Sequence, residues 1–546
     1  MSFKITFNNQ TKEFDKKVQL TELSNSKDFI CAMVNGRVRE LDYFVYYDAE
    51  VEFLTTKNLE GMGTYERGIR FLFSMACHNL FPKAKFRLTY GVSRAVFAQN
   101  INTDFKLSFD NVRQIETEMK RLAAADIDFV RTIISKEEAA TLFKENNLLD
   151  KLETLEYRPE KTVHIYTCDG YFNYLYGKMV PSTGYLKSFR LIYYPPGIMI
   201  QYPRAEFNGE IPPFFDEPTF SNTLIRSQKW SKMVGLDTVV GINKAAIAQE
   251  GARLINLCEN KHNRMLCELG QQIQDHINDI RVICVAGPSS SGKTTFADRL
   301  TLELISRGIQ PIRVSIDDYY KRREDIPLEP DGSRDFESLD ALDVDLFNHH
   351  LLDLLEGKEV ALPRFSFKEN ARHFGEPISI RDNQPIIIEG IHALNENMTP
   401  LIPLHFKYKI YISPQVQINL DNENPISLTD IRLIRRMVRD FKYRGSEAED
   451  TLKMWPSVRK GEFKWIYKTQ EDANYVFDSF LNYELMIMKK YALPLLYKID
   501  KESEYGSDAQ RLIKLLKYFA DMDEKWIPSN SLIKEFIGGS CYRDTE

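Results

Sequence analysis

Nine residues, Gly287-Pro-Ser-Ser-Ser-Gly292-Lys293-Thr294-Thr295, constrain this chain more than any other stretch. They fit the pattern G-x-x-x-x-G-K-[ST]. The apolar run Ile280–Ala286 precedes them, and a helix-compatible segment without interior Pro or Gly follows from Thr295 to Arg307. A buried strand, a tight Gly-rich turn and a helix start are the setting in which backbone N–H groups converge on phosphate. Gly287 and Gly292 permit backbone conformations closed to other residues, so the N–H groups of the turn, through Ser289, Ser290 and Ser291, can point inward. The helix N-terminus adds about half a positive charge. Lys293 is placed to reach β- and γ-phosphates, and the hydroxyl of Thr294 to ligate Mg²⁺. The expectation is a nucleoside triphosphate site, with ATP and Mg²⁺ as cofactors.

The rest of the chain sets the surroundings. Its 546 residues exceed what one core holds and predict roughly three or four domains. A hydrophobic fraction of 43% and a charged fraction of 27% read as an ordinary soluble protein. The net charge of −6 argues against a mainly nucleic-acid-binding surface and leaves room for a local basic patch. No apolar run approaches the roughly 18 residues of a membrane span. Met1-Ser-Phe-Lys-Ile-Thr-Phe7 alternates like a strand and lacks the apolar core of a signal peptide. Seven scattered cysteines without a C-x-x-C pair suit reduced thiols, so a cytoplasmic protein is expected, with no zinc site built from Cys alone.

Along the chain, residues 1–60 read as a small β-rich unit, with a hairpin turning at Asn35-Gly36. A helix is predicted over Thr64–Leu80, ended by Phe81-Pro82. Residues 83 to about 205 mix strands (85–90, 162–166, 189–194) with charged helices near 111–123 and 136–151. The Pro- and aromatic-rich stretch 195–218 reads as a linker or an ordered wrap. Residues 206–278 form a connector that becomes helical, with a long helix over 243–276. From 279 to 546 strands and helices alternate, which predicts an α/β unit: a parallel sheet with helices on both faces.

Three further elements bear on chemistry. The strand Ile312–Ser315 ends in Asp317-Asp318-Tyr319-Tyr320, and carboxylates at the C-terminal end of a parallel strand face the ligand crevice. Phosphoryl transfer to an alcohol needs such a carboxylate to orient the hydroxyl and accept its proton; a plain turn or helix cap is the other reading. The strand Pro385–Glu389 puts a second acid on the same edge, suited to Mg²⁺, which takes few protein ligands. At helical spacing Arg432, Arg435, Arg436 and Arg439 share one side of a helix, opposite Ile431, Leu433, Ile434 and Val438. Such a stripe is either a solvated face or a lid closing over a phosphoryl group.

Here a resemblance becomes specific. Residues 279 to about 520 resemble the uridine kinase branch of the phosphoribulokinase/uridine kinase family, P-loop NTPases in fold. The matching pieces are Gly287–Thr295, Ser315-Ile-Asp317-Asp-Tyr-Tyr-Lys321, Phe336-Glu-Ser-Leu-Asp340-Ala-Leu-Asp343, Pro363-Arg-Phe365-Ser-Phe367, Glu389-Gly390-Ile391 and Arg435-Arg436-Met-Val-Arg439-Asp440 with Arg444-Gly445. The resemblance implies Asp317 as base on a ribose 5′-hydroxyl and Asp340 on ribose hydroxyls. Phe365 and Phe367, with Tyr320, Asn370 and Arg372, fall in the substrate region. Arg436 and Arg439 would act on the transferring group, and Arg444 on ATP. Pyrimidine nucleoside kinases carry a Tyr and a His against the base where this chain has Phe365 and Asn370, and such a loss of polar contacts can change the preferred base. The stretch Ser413–Leu428 is longer than in the family. Uridine or cytidine is the default acceptor. Another small alcohol stays open through Arg364, Lys368 and Arg372, as does a nucleotide- or RNA-sensing regulator. Self-association into a homo-oligomer is implied by the same resemblance.

Residues 1–60 resemble the TGS domain, a β-grasp module, through Ala32–Val38 and Asp48–Leu54. Residues 61–205 resemble the editing (second additional) domain of threonyl-tRNA synthetase, an α+β module, through Met179–Arg190. Glu66 and Arg70 stand where that family has two helical histidines, Met179 stands for a later one, and Cys168 lies eleven residues before Met179 rather than four. Metal binding and hydrolysis in the ancestral manner are therefore not expected. Lys83, Lys85 and Arg87 hint weakly at RNA contact; a solvated strand face is the commoner meaning of so short a run.

Overall fold

The computed structural model describes residues 2–542 except 25, 103, 249–250, 330–331, 333, 367–368 and 382–383. Phe367 and Lys368 therefore lie outside the described residues. At the N-terminus, Phe3–Phe7 pairs antiparallel with Gln10–Phe14 and parallel with Ala49–Leu54. Cys31–Val34 and Arg37–Arg39 form the expected hairpin. Its two-residue turn holds Asn35 at φ 47° and Gly36 at φ 74°, the left-handed pair whose twist matches antiparallel strands.

The predicted helix at 64–80 begins earlier and spans Leu59–Leu80. It packs with the helix Phe109–Ala125 on a four-stranded antiparallel sheet of Arg190–Tyr194, Gly197–Gln201, Val96–Asn100 and Phe86–Tyr90, in that order. Gly197–Gln201 corrects the reading of 195–218 as a linker. All five of its residues are buried and it lies inside the sheet, flanked by partners on both sides. The helix expected over 136–151 is two, Lys136–Glu145 and Leu149–Tyr157, broken at Asn146-Asn147, where Asn147 takes φ 55°. They cover a three-stranded sheet built on Thr162–Cys168.

The C-terminal region is a five-stranded, all-parallel sheet: β1 (Val282–Ala286), β2 (Ile312–Ser315), β3 (Ile386–Glu389), β4 (Lys407–Ser413) and β5 (Tyr475–Asp478), in spatial order β2-β3-β1-β4-β5. Every residue of β1 is buried. Ile283 and Val285 face one core, and Val282, Cys284 and Ala286 the other, so the apolar run reads as a strand covered on both faces. The helix α1 (Ala252–Asp275) joins the first core, as do residues of Val239–Ala248; the connector expected at 206–278 thus packs as part of this region. Its long helix is also two, separated at Gly251. Further helices are α2 (Lys293–Ser306), α3 (Val344–Leu355), α4 (Leu428–Arg444) and α5 (Ala448–Gly461), and a hairpin pairs Val360–Ser366 with Ala371–Ile378.

The long segment between β4 and α4 is buried against the N-terminal half. Lys151 Nζ lies 2.5 Å from the carboxylate of Glu423 and 3.3 Å from that of Asp421. Asn424 accepts the N–H of Tyr176 at 2.7 Å and donates to the carbonyl of Tyr174 at 3.2 Å. Arg70 donates to the Glu423 carbonyl at 3.0 Å, and Glu66 accepts the Tyr202 hydroxyl at 2.7 Å. The two positions that replace helical histidines are thus structural. Arg87 turns inward, donating to Asn422 at 3.1 Å and pairing with Asp237. No helix among the described residues is long and apolar enough to cross a membrane.

Candidate active site

The C-terminal ends of β1, β2 and β3 meet at one cleft. The turn after β1 closes tightly because Gly287 passes against the Ile412 backbone of β4, where a Cβ would collide with the carbonyl. Gly292 takes φ 92° and starts α2; Ser290 sits at φ 59°. The helix begins at Lys293, two residues before the predicted start, so the N–H groups of Lys293, Thr294 and Thr295 all belong to its first turn. The hydroxyls of Ser290 and Ser291 are buried without a hydrogen-bond partner. Buried hydroxyls normally find one, so the turn fits a group that brings acceptors, as phosphate does. Lys293 Nζ folds back on the carbonyls of Gly287 and Pro288 at 3.0 and 3.3 Å.

Two carboxylates face Lys293. Asp317 lies on the turn after β2 and opens to the cleft; the surrounding protein pushes its carboxyl above the usual range, while Lys293, Arg444 and Arg439 pull it down. Glu389, at the end of β3, is 7% exposed. Burial first, and then the Asp317 charge, push it up to about 7 against the pull of Arg313 and Lys293. Thr294 and Glu389 are the residues that would hold Mg²⁺. Among the described residues no cluster of three or more His, Cys, Asp or Glu could hold a metal, which leaves a cation here dependent on phosphate oxygens and water, as Mg²⁺ usually is.

The Glu389 shift has a stability consequence. Between the ordinary carboxyl range and pH 7 the folded chain holds a proton that the unfolded chain has released, so stability falls as pH rises through that window and stays lower above it. Glu389→Gln is expected to raise Tm at pH 8 without nucleotide or Mg²⁺, by the equivalent of about 1–2 kcal/mol, while lowering turnover. A calorimetric scan showing an unchanged or lower Tm would contradict this.

The arginine helix divides its labour. Arg432 and Arg435, read from sequence as part of a solvated or lid face, are buried and grip the phosphate loop from behind. Arg432 donates to the Ser289 carbonyl from Nε and Nη2 at 3.0 and 2.9 Å and pairs with the buried Glu462. Arg435 pairs with Glu484 at 2.6 Å and donates to the carbonyl of Ser290 at 3.3 Å. Arg436, Arg439 and Arg444 gather around Asp440, at 3.2, 2.7 and 3.5 Å, and Arg436 also donates to the Ser289 hydroxyl at 2.8 Å. The neighbouring Arg439 charge depresses the Arg444 guanidinium.

On the acceptor side, three of the expected residues are held by local partners. Asp340 is exposed, with its carboxylate beside Ser338 and its carbonyl held by Lys321. Glu337, three residues earlier, is in electrostatic contact with the site: burial raises its carboxyl, and it feels the charges of Arg436, Asp317 and Lys293. Sequence offered no way to choose between two acids on one turn. Arg372 is committed to the backbone, donating to the carbonyls of Tyr320 and Tyr319 at 2.9 and 3.2 Å and pairing with Asp343 at 2.8 Å. Asn370 bridges Arg323 and Glu324, at 3.0 Å to each, which leaves it occupied at the hairpin tip. Phe365 is 9% exposed, with its ring centroid 6.0 Å from that of Tyr320. Its N–H donates to Asp318 at 3.0 Å. One contact had no local signal: Glu535, 240 residues away, accepts the Thr295 N–H at 3.1 Å.

Both regions resemble known proteins. Residues 282–485 match the Phosphoribulokinase / Uridine kinase family. The N-terminal region is similar to threonine–tRNA ligases: 27% identical over 192 residues to that of Carboxydothermus hydrogenoformans, covering 34% of this chain and 30% of that protein. It is 30% identical over 200 residues to that of Listeria monocytogenes, covering 35% and 31%. The chain thus spans about a third of the length of these relatives. A solved structure titled as a possible uridine kinase from Bacillus stearothermophilus is 21% identical, covering 38% of this chain and all of that one, at a TM-score of 0.23; the fold reading rests on the sheet above.

Proposed function

We propose that the protein is an ATP- and Mg²⁺-dependent kinase that transfers the γ-phosphoryl group to the 5′-hydroxyl of a nucleoside, with uridine or cytidine as first choice. The observation that carries this reading is the convergence of Lys293, Asp317 and Arg439 with Arg444 on one cleft above the phosphate loop. Asp317 accepts the proton of the attacking hydroxyl while that oxygen bonds to the γ-phosphorus and the bond to the ADP oxygen breaks. Lys293 and the N–H groups of the turn bind the phosphates, and Mg²⁺, when bound, neutralises charge on their oxygens. Arg436, Arg439 and Arg444 are free to trade Asp440 for phosphate oxygens, a charge-assisted exchange. Glu337 replaces Asp340 as the acid offered to ribose hydroxyls, and Phe365 with Tyr320 gives an apolar wall to the base.

An acidic acceptor is less well served, because Arg372 is spent on backbone carbonyls and Asp343. The test is ATP consumption against nucleosides and other small alcohols, with Lys293→Ala as the blank. Selective turnover of uridine or cytidine supports the reading, turnover of another alcohol moves the substrate, and ATP binding without any acceptor overturns the kinase assignment.

Glu535 bears on nucleotide affinity. Its carboxylate takes a first-turn N–H that phosphate would otherwise use. Glu535→Gln is expected to tighten MgADP binding roughly 2- to 5-fold. Weaker binding in a calorimetric titration would instead make the carboxylate part of the nucleotide site.

A further inference from the structure

Among the described residues, one turn of the N-terminal half connects to the phosphate loop through a chain of side chains. The turn between the strands Phe86–Tyr90 and Val96–Asn100 carries Ser93 and Arg94, both with positive φ, at 54° and 62°. Side chains rarely adopt that conformation, and it persists only where the surroundings over-determine it. Here they do. The Ser93 N–H donates to Glu217 at 3.1 Å, and the Ser93 hydroxyl donates to the Pro213 carbonyl at 3.2 Å and accepts the Phe215 N–H at 3.0 Å. Glu217 is in turn tied to Gln470 at 2.5 Å.

The strained turn aims the Arg94 guanidinium at two rings beyond α5, 4.5 Å from the centroid of Phe463 and 4.2 Å from that of Tyr467. Cation–aromatic contacts at this distance are favourable, most so when desolvated. The Tyr467 hydroxyl accepts from Arg459 at 2.6 Å and from Arg432 at 3.1 Å. Arg432 is the residue whose other nitrogens hold the Ser289 carbonyl. The contacts therefore run without a gap from Arg94 through Tyr467 and Arg432 to the phosphate loop.

Charge makes the cluster responsive. Arg94, Arg432 and Arg459 surround one phenol, with the buried Glu462 as the nearest anion; Arg204, Glu206, Glu217 and Tyr411 complete the surroundings. Burial pushes the Tyr467 phenol up, but the charges of Arg459, Arg432 and Arg94 outweigh it and bring it down to about 8.

We propose that Arg94 is a positioning residue for the phosphate loop: from the N-terminal half it sets Tyr467, through Tyr467 it sets Arg432, and so it fixes the carbonyl that shapes the nucleotide cradle. The proposal rests on the nucleotide-binding reading above. It also assigns the N-terminal half a part in the kinase, since the strained turn would otherwise carry a cost without a return.

The test uses the full chain with Arg94→Met, which keeps the length of the stem, and Arg94→Lys, which keeps the charge. Three quantities are read: amide exchange in the peptide spanning 288–292, the ionisation midpoint of Tyr467 by difference against Tyr467→Phe, and the MgADP dissociation constant. In Arg94→Met, loop exchange and the dissociation constant are expected to rise roughly 3- to 10-fold and the phenol midpoint to move above about 8, with Arg94→Lys recovering part of each. Unchanged loop exchange in a folded Arg94→Met overturns the proposal, whatever happens to its Tm. Should that variant fail to fold, Tyr467→Phe keeps the ring under Arg94 and removes only the hydroxyl; its loop exchange must rise, and an unchanged value overturns the proposal equally. Failure of the unaltered chain to bind MgADP would sink the nucleotide reading, while loop exchange would still decide the role of Arg94.

Discussion

Lys293→Ala is expected to lower kcat/KM by roughly 10²–10³-fold while leaving the fold intact. The reason lies in where the ammonium is now. Among the described residues it hydrogen-bonds to the Gly287 and Pro288 carbonyls of its own loop, and burial lowers its basicity against the pull of Glu389 and Asp317. Removing it strands no buried partner charge, because both carboxylates keep other cations: Arg313 for Glu389, Arg439 and Arg444 for Asp317. What disappears is the one side-chain cation at the start of α2. The measurement is steady-state turnover beside a thermal melt. Turnover near that of the unaltered chain would remove Lys293 from phosphate binding.

Asp317→Asn should lower kcat by roughly 10²–10⁴-fold, with nucleotide binding nearly unchanged. The amide is isosteric and can still accept a hydrogen bond, but it cannot take up a proton. The unaltered chain should lose kcat as pH falls, because its carboxyl sits above the ordinary range and protonation removes the base. The variant should lose that acid limb. A variant that keeps both high turnover and the acid limb would assign the base elsewhere, with Glu337 the next carboxylate in electrostatic contact with the site.

Local pattern made much of this legible. The phosphate-loop strand, the strand Ile312–Ser315, the acid at the end of β3 and the Asn35-Gly36 hairpin each follow from short-range rules about burial, turns and strand ends. The failures share a cause in distance. Arg432 and Arg435 read as a wet face because charge on a helix usually is, yet their partners Glu462 and Glu484 lie 30 and 49 residues on, beyond any helical period. Gly197–Gln201 was hidden by prolines on either side, although its sheet neighbours are a hundred residues upstream and the strand just before it. Asp340 and Glu337 lie three residues apart, and neither residue type nor spacing says which of them feels the charges of Arg436, Asp317 and Lys293.

The buried stretch between β4 and α4 has a consequence for any molecule that competes for the contacts it makes on the N-terminal half. Asp421, Glu423 and Asn424 sit there against Lys151, Arg70 and Tyr176 as a guest attached to its host by the same chain. A tethered guest acts at an effective concentration on the order of millimolar or above, and dilution never lowers it. A free molecule with the same contacts would therefore be outcompeted at micromolar levels. That surface behaves as one whose ligand was supplied with the polypeptide.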